Sequence, residues 1–284
     1  MAKKYVLMGF YMVLNVGFIA VILNLLFEAE PLLGITAGVV LYAASIALAF
    51  SPVGEFIVRI KEGARKNKEV IDEVQPILNE LLEEANRVYG SVPNNIEIRV
   101  KDGFEVNASA IGLRTICVTP SILNLSEREI KAVLSHELGH IINKDTYPVM
   151  LVSTGNIVVV TIVTVIRLVI NLLQLVFSIV CLFVGGSDSA LASATNALAN
   201  MLINVFVTGF TFLWTKLGML LVVGSTISKE YEADKVATEL GYGYELRSIL
   251  QEVLDSGYVE KRSIFAFAHP DIKKRIAKID EMMA

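Results

Sequence analysis

His136-Glu137-Leu138-Gly139-His140 are the residues of this chain whose types and spacing could do chemistry. On a helix, His136 and His140 lie four apart on one face, so their imidazoles converge on one point. Two neutral imidazoles at that spacing can hold Zn²⁺ and leave coordination positions open. Glu137 follows the first histidine directly, where a carboxylate can take a proton from a water that the metal activates. The chain has only three histidines, so an accidental pair at this spacing is the weaker explanation. The pattern implies metal-dependent hydrolysis.

A zinc site needs a third protein ligand. The remaining histidine is His269, and the two cysteines are badly placed, Cys117 in a strand-like segment and Cys181 in an apolar one. Glu230-Tyr231-Glu232-Ala233-Asp234 puts Glu230 and Asp234 on one helical face. Glu230 could ligate the metal, and Asp234 could accept a hydrogen bond from the far nitrogen of His136, fixing its tautomer. The same run reads as well as a solvated acidic face. Glu232 points elsewhere on the helix, toward solvent.

The element that must carry the two histidines has a well-marked start. Ser126 can cap it, Glu129 completes a capping box, and Leu125 with Ile130 can form a hydrophobic staple, which predicts a helix from Glu127 to about Asn143. Before it, Lys68–Tyr89 keeps helical period through Val74, Leu78, Leu81 and Ala85. Ile96–Val100 alternates as a strand, and 107–111 and 115–119 read as two more short strands. Beyond it, 228–240, 245–254 and 271–283 read as helices.

Hydrophobic residues make up 54% of the chain and charged ones 19%, too apolar for a protein that meets water on every side. A net charge of −4 with no basic tail gives no sign of nucleic-acid binding. Two cysteines in such places predict free thiols and no disulfide. Tyr5–Phe27 and Leu32–Ser51 are each long enough to cross a bilayer, with the acidic turn Glu28-Ala29-Glu30 between them. Lys3 and Lys4 precede this hairpin and Arg59, Lys61, Arg65, Lys66 and Lys68 follow it, so both ends are expected in the cytoplasm. A second apolar region must cross an even number of times if Glu230 is to return to the compartment of His136. Arg167 and Lys216 in that region lack acidic partners and read as cations that snorkel, with lining of a cavity as the alternative. Snorkelling would confine the bilayer segments to about 168–184 and 196–215, with Trp214 in an aromatic belt. The expected organisation is a transmembrane hairpin over 1–57, a catalytic domain over 58–147, a second hairpin with helical extensions over 148–227, and the rest of the catalytic domain over 228–284.

Together, the His136-Glu137-Leu138-Gly139-His140 motif, Asp145, Glu230 with Asp234, and a terminal His269-Pro270 with Arg275 resemble the HtpX family of membrane-bound zinc metalloendopeptidases, relatives of the CAAX prenyl endopeptidases. The resemblance covers essentially the whole chain. It implies an α+β multi-pass membrane protein, with four transmembrane helices and a cytoplasmic zincin-like domain of helices and a small sheet. It also implies one Zn²⁺ per chain, held by His136, His140 and Glu230, with Glu137 catalytic and Asp234 behind the ligands. Asn107-Ala108-Ser109 resembles the family's substrate-pairing edge strand, and His269 the histidine that braces the oxyanion. Ala268 and Asp271 depart from the family pattern around that histidine. Arg275 would pair with a site carboxylate or with acids of its own helix. The implied activity is cleavage of misfolded or damaged membrane proteins from the cytoplasmic side of the cell membrane, with the lipid bilayer as the other partner and no nucleic acid. The alternatives are a narrow CAAX-type processing peptidase and a non-catalytic metal-binding scaffold, although a scaffold would have no use for Glu137.

Overall fold

The computed structural model describes residues 2–28, 30–184, 189–222, 227–256 and 272–284. The chain divides into two units, one of Met1–Leu48 with Leu151–Val222 and one of Ala49–Met150 with Val223–Ala284. The first is apolar and helical, and the second is mixed.

In the apolar unit, α1 (Ala2–Phe27) and α2 (Pro31–Ala49) follow one another directly. Four stretches, Val6–Phe27, Pro31–Ala49, Thr146–Cys181 and Leu191–Leu220, are long and apolar enough to cross a membrane. The third is not one helix. α6 (Thr146–Ser153) and α7 (Ile157–Val184) are separated by a turn at Thr154-Gly155-Asn156, whereas the sequence suggests uninterrupted helix from about residue 149. A break frees backbone groups that must find partners where water is scarce. Ser45 Oγ supplies one by donating to the Gly155 carbonyl, and the side-chain Nδ2 of Asn156, in the same turn, donates to the Tyr11 hydroxyl.

α8 (Ser189–Val222) packs on α7 along a polar seam. Arg167 Nε donates to Asn204 Oδ1, and Asn204 Nδ2 donates to Asn171 Oδ1 at 3.2 Å and to Asn200 Oδ1 at 2.5 Å. The Arg167 guanidinium therefore turns sideways to a neighbouring helix, because an amide oxygen there satisfies its donor. Trp214, expected in an interfacial belt, packs on Phe18 and Phe210 with centroids 5.4 and 5.5 Å away, and its indole N–H donates to Asn15.

The mixed unit begins with α3 (Pro52–Lys61), a helix the sequence reading did not anticipate, and α4 (Lys68–Tyr89), which is capped by Asn67 and stopped by left-handed Gly90. Three strands follow, β1 (Glu97–Val100), β2 (Ala108–Ile111) and β3 (Thr115–Val118), in the order β1-β3-β2. β1 runs parallel to β3, and β2 antiparallel to it. A bridge between Arg65 and Val100 covers the outer side of β1, so β2 forms the open edge. Asn107 and Thr119 flank their strands, paired to each other by the Thr119 N–H to Asn107 carbonyl bond of 2.9 Å.

A short 3₁₀ turn (Pro120–Asn124) leads into α5 (Glu127–Ile142), where Ser126 and Glu129 form the anticipated capping box. α9 (Ile227–Glu239), α10 (Gly243–Asp255) and α11 (Ile272–Met283) complete the unit. Leu78 and Leu81 of α4, Ile98 of β1, Leu134 and Leu138 of α5 and Ile279 of α11 share one core and are all essentially fully buried. Each such side chain contributes about 1.5–3 kcal/mol. α5 is buried over almost its whole length, and that burial fixes both histidines.

Candidate metal centre

α5 and α9 approach closely because Gly139 has no side chain. A Cβ there would lie 2.8 Å from the Ala233 Cα. The approach brings Glu230, in the first turn of α9, against both histidines of α5. Glu230 Oε2 lies 3.4 Å from His136 Nε2, and Oε1 lies 3.6 Å from His140 Nε2. One donor atom from each of His136, His140 and Glu230 falls within 4.8 Å of the others, and all three residues are buried.

Each imidazole is held at its far nitrogen by a carboxylate. His136 Nδ1 lies 2.9 Å from Asp234 Oδ1, as the spacing of Glu230 and Asp234 suggested. His140 Nδ1 lies 3.2 Å from Asp145 Oδ2. Asp145 reaches back because Lys144 adopts a left-handed φ of 58° and the Asp145 N–H bonds the His140 carbonyl at 2.9 Å. With each Nδ1 held from behind by a carboxylate, both Nε2 atoms face Glu230 and the ring angles are fixed.

Arg275 of α11 is fully buried and grips Asp234 with two bonds, Nε to Oδ2 at 2.8 Å and Nη2 to Oδ1 at 2.6 Å. Its Nη1 lies 3.4 Å from Glu230 Oε2. Of the two partners open to Arg275 in the sequence, the structure therefore selects the site carboxylates. Burial opposes ionisation of Asp234, but its bonds to His136 and Arg275 outweigh it and lower the pKa below the usual carboxylate range. Burial and Arg275 also oppose a proton on His136; the carboxylates of Asp234 and Glu230 outweigh both and raise its pKa to about 9. Surroundings that hold a proton there so firmly favour positive charge. Glu137, Glu230, Asp234 and Asp145 outnumber Arg275 around the two rings, and two imidazoles with a carboxylate suit a divalent cation.

Glu137 is 1% exposed, and its Oε2 accepts a hydrogen bond of 2.6 Å from the Ala110 N–H of β2. That N–H points away from β3, as alternate groups of an edge strand must. Ala108 is buried and Ser109 half-buried on the same strand. Asn107 stands just before the strand, and its Oδ1 is buried with no hydrogen-bond partner among the described residues. Glu232 is exposed. His269, with Ala268 and Asp271, lies outside the described residues. Sequence reasoning assigned no function to two groups at this site. In the sequence Asp145 stands only as one residue of a motif, and a backbone N–H such as that of Ala110 has no side-chain signature.

Two histidines and a glutamate around one point, with a second glutamate beside them on the motif helix, define a metallopeptidase. Residues 69–283 match the family model described as Peptidase family M48, and the chain belongs to that family. A comparison with curated proteins gave no match.

Proposed function

We propose that the protein is a zinc-dependent endopeptidase that cuts misfolded or damaged membrane proteins at the cytoplasmic face of the cell membrane. The observation that carries this reading is the 2.6 Å bond from Ala110 N–H to Glu137, which ties the carboxylate beside the metal cluster to the open edge of the sheet. An edge strand recognises backbone and not sequence, which suits substrates that share only being unfolded.

His136, His140 and Glu230 would hold the zinc. Bound there, the metal supplies Lewis-acid polarisation of a substrate carbonyl and a water acidic enough to attack at neutral pH. Asp234 and Asp145 hold the Nδ1 side of each ring, which turns Nε2 toward the metal position, and Arg275 holds Asp234. An extended substrate pairs with the outward backbone groups of Ala108 and with the Ala110 carbonyl, while the Asn107 amide gains the partner it lacks. Glu137 accepts the proton of the attacking water and passes it to the departing amine nitrogen. His269, on its resemblance to the family histidine, donates toward the developing oxyanion. The basic residues on both sides of the first hairpin support the cytoplasmic orientation.

The test is casein cleavage by the full chain in detergent, with zinc assayed on the same samples, for wild type, Glu137→Ala and Glu230→Ala. The expected result is about one zinc per chain in wild type and Glu137→Ala, with turnover about 10²–10⁴-fold lower in Glu137→Ala. Glu230→Ala should lose zinc as well as activity. Full zinc occupancy in wild type without cleavage of any unfolded substrate would overturn broad proteolysis and point to a narrow processing enzyme.

A further inference from the structure

α3 is amphipathic with its faces reversed. Val53, Phe56 and Ile60 are 50%, 61% and 63% exposed, while the residues it buries are Gly54, Glu55 and Val58. At about 100° per residue the three exposed apolar side chains fall within an arc of roughly 60°. A helix that meets only water would turn that stripe inward. Two further observations say what covers it. α3 starts at Pro52 and α2, long and apolar enough to cross a membrane, ends at Ala49, so chain connectivity brings α3 to the end of a span. The exposed basic residues Lys61, Arg65, Lys66 and Lys68 follow within a few positions. An apolar stripe flanked by lysine and arginine suits the headgroup–acyl boundary of an anionic bilayer.

The opposite face of α3 carries Glu55, which is 8% exposed. Its carboxylate accepts the Leu113 N–H at 2.7 Å, the Arg114 N–H at 3.2 Å and the Thr115 hydroxyl at 2.5 Å. Leu113 and Arg114 lie in the turn between β2 and β3, and Thr115 opens β3. Gly112 admits the carboxylate, because its φ is +63° and a Cβ there would lie 2.4 Å from Glu55 Oε2. The same hairpin carries the Ala110 N–H that holds Glu137.

We infer that α3 is an interfacial helix, with Val53, Phe56 and Ile60 resting in the lipid surface and Glu55 positioning the substrate-edge hairpin from the other side. Lipid contact would thereby steady the strand on which both substrate and Glu137 depend. The lipid contact stands without any catalytic assignment; the consequence for turnover rests on the proposed peptidase activity.

The full chain with Trp214→Phe and Phe56→Trp, reconstituted in vesicles of phosphatidylcholine and phosphatidylglycerol, tests the contact. With brominated acyl chains, the expected result is blue-shifted emission and an intensity loss of about half or more, unchanged as the protein is diluted with lipid. Water-like emission without quenching would overturn the inference. So would a blue shift that vanishes on dilution, since a second copy of the chain would then be the occupant. Residue-resolved hydrogen exchange tests the link to the hairpin. In Phe56→Gln/Ile60→Gln, the Ala110, Leu113 and Arg114 amides should exchange about tenfold faster in vesicles, with the Ile98 amide and zinc content unchanged. Unchanged exchange at all four amides would break the link. Quenching and exchange as expected, in a protein that cleaves nothing, would overturn the peptidase reading and leave this one standing.

Discussion

The two units bury polar groups in different ways. In the apolar unit the buried polar residues among those described are Asn15, Ser45, Thr154 and Asn156, all neutral. In the mixed unit Glu55, Glu137, Glu230, Asp234 and Arg275 are buried together with both motif histidines. A neutral amide or hydroxyl needs only one good hydrogen bond to tolerate a medium without water. A buried carboxylate needs opposite charge or several donors, and losing one partner strands the other. The apolar unit accordingly uses amides to join helices, and its one described guanidinium partner, Asn204, is itself an amide. The mixed unit concentrates charge at a point and leaves it unbalanced toward the negative, a tension that a cation relieves. Apart from Glu55, which holds the turn between β2 and β3, these buried charges gather at the metal cluster, whereas the buried amides lie where helices are held.

Breaking each kind of contact should sharpen this contrast. The largest effect is expected for Arg275→Leu, which leaves Asp234 and Glu230 without their shared cation. Denaturant unfolding of the metal-free protein should show a loss of about 3–5 kcal/mol, and zinc should no longer bind. Removing metal from the wild type comes next. With free metal at about a hundredfold its Kd, a chelator should lower stability by about 2.7 kcal/mol, seen as a lower Tm that excess zinc restores. Asn204→Leu should cost only about 0.6–1.7 kcal/mol in the membrane, and steric-trap unfolding in bilayers would measure it. A loss equal to that of Arg275→Leu would erase the distinction between the units. Smallest is an effect on reactivity. Burial pushes the Cys117 thiol up to about 11, so maleimide labelling of native protein should stay slow at pH 8 and accelerate only as the pH approaches that value.

Much of this arrangement is legible in the sequence because it is local. The capping box of Ser126 and Glu129 marks the start of α5 from four consecutive residues. The i, i+4 spacings put His136 over His140 and Glu230 beside Asp234, so a ligand set follows once the two segments are supposed to meet. The four spans announce themselves by length and apolarity. What could not be read depends on backbone geometry or distance. The Asp145 bond to His140 requires a left-handed Lys144, a conformation that no glycine advertises. The partner of Arg275 is open in the sequence because two helices offer acids, and only the packing of α11 on α9 decides between them. α3 escaped notice because its apolar stripe reads as the tail of the preceding span. The turn at Gly155 is hidden in the same way inside a run of apolar residues.

One consequence follows from where the pieces of the metal site lie along the chain. His136 and His140 are made before α7 and α8, whereas Glu230, Asp234 and Arg275 come after both. At a synthesis rate of about 5–20 residues per second, roughly 7–28 s separate His136 from Arg275. During that interval the nascent chain carries two histidines and a base but neither the third ligand nor the cation that orders it. The second pair of apolar stretches must emerge before the centre can assemble, so the full set of His136, His140 and Glu230 exists only once most of the chain has been made.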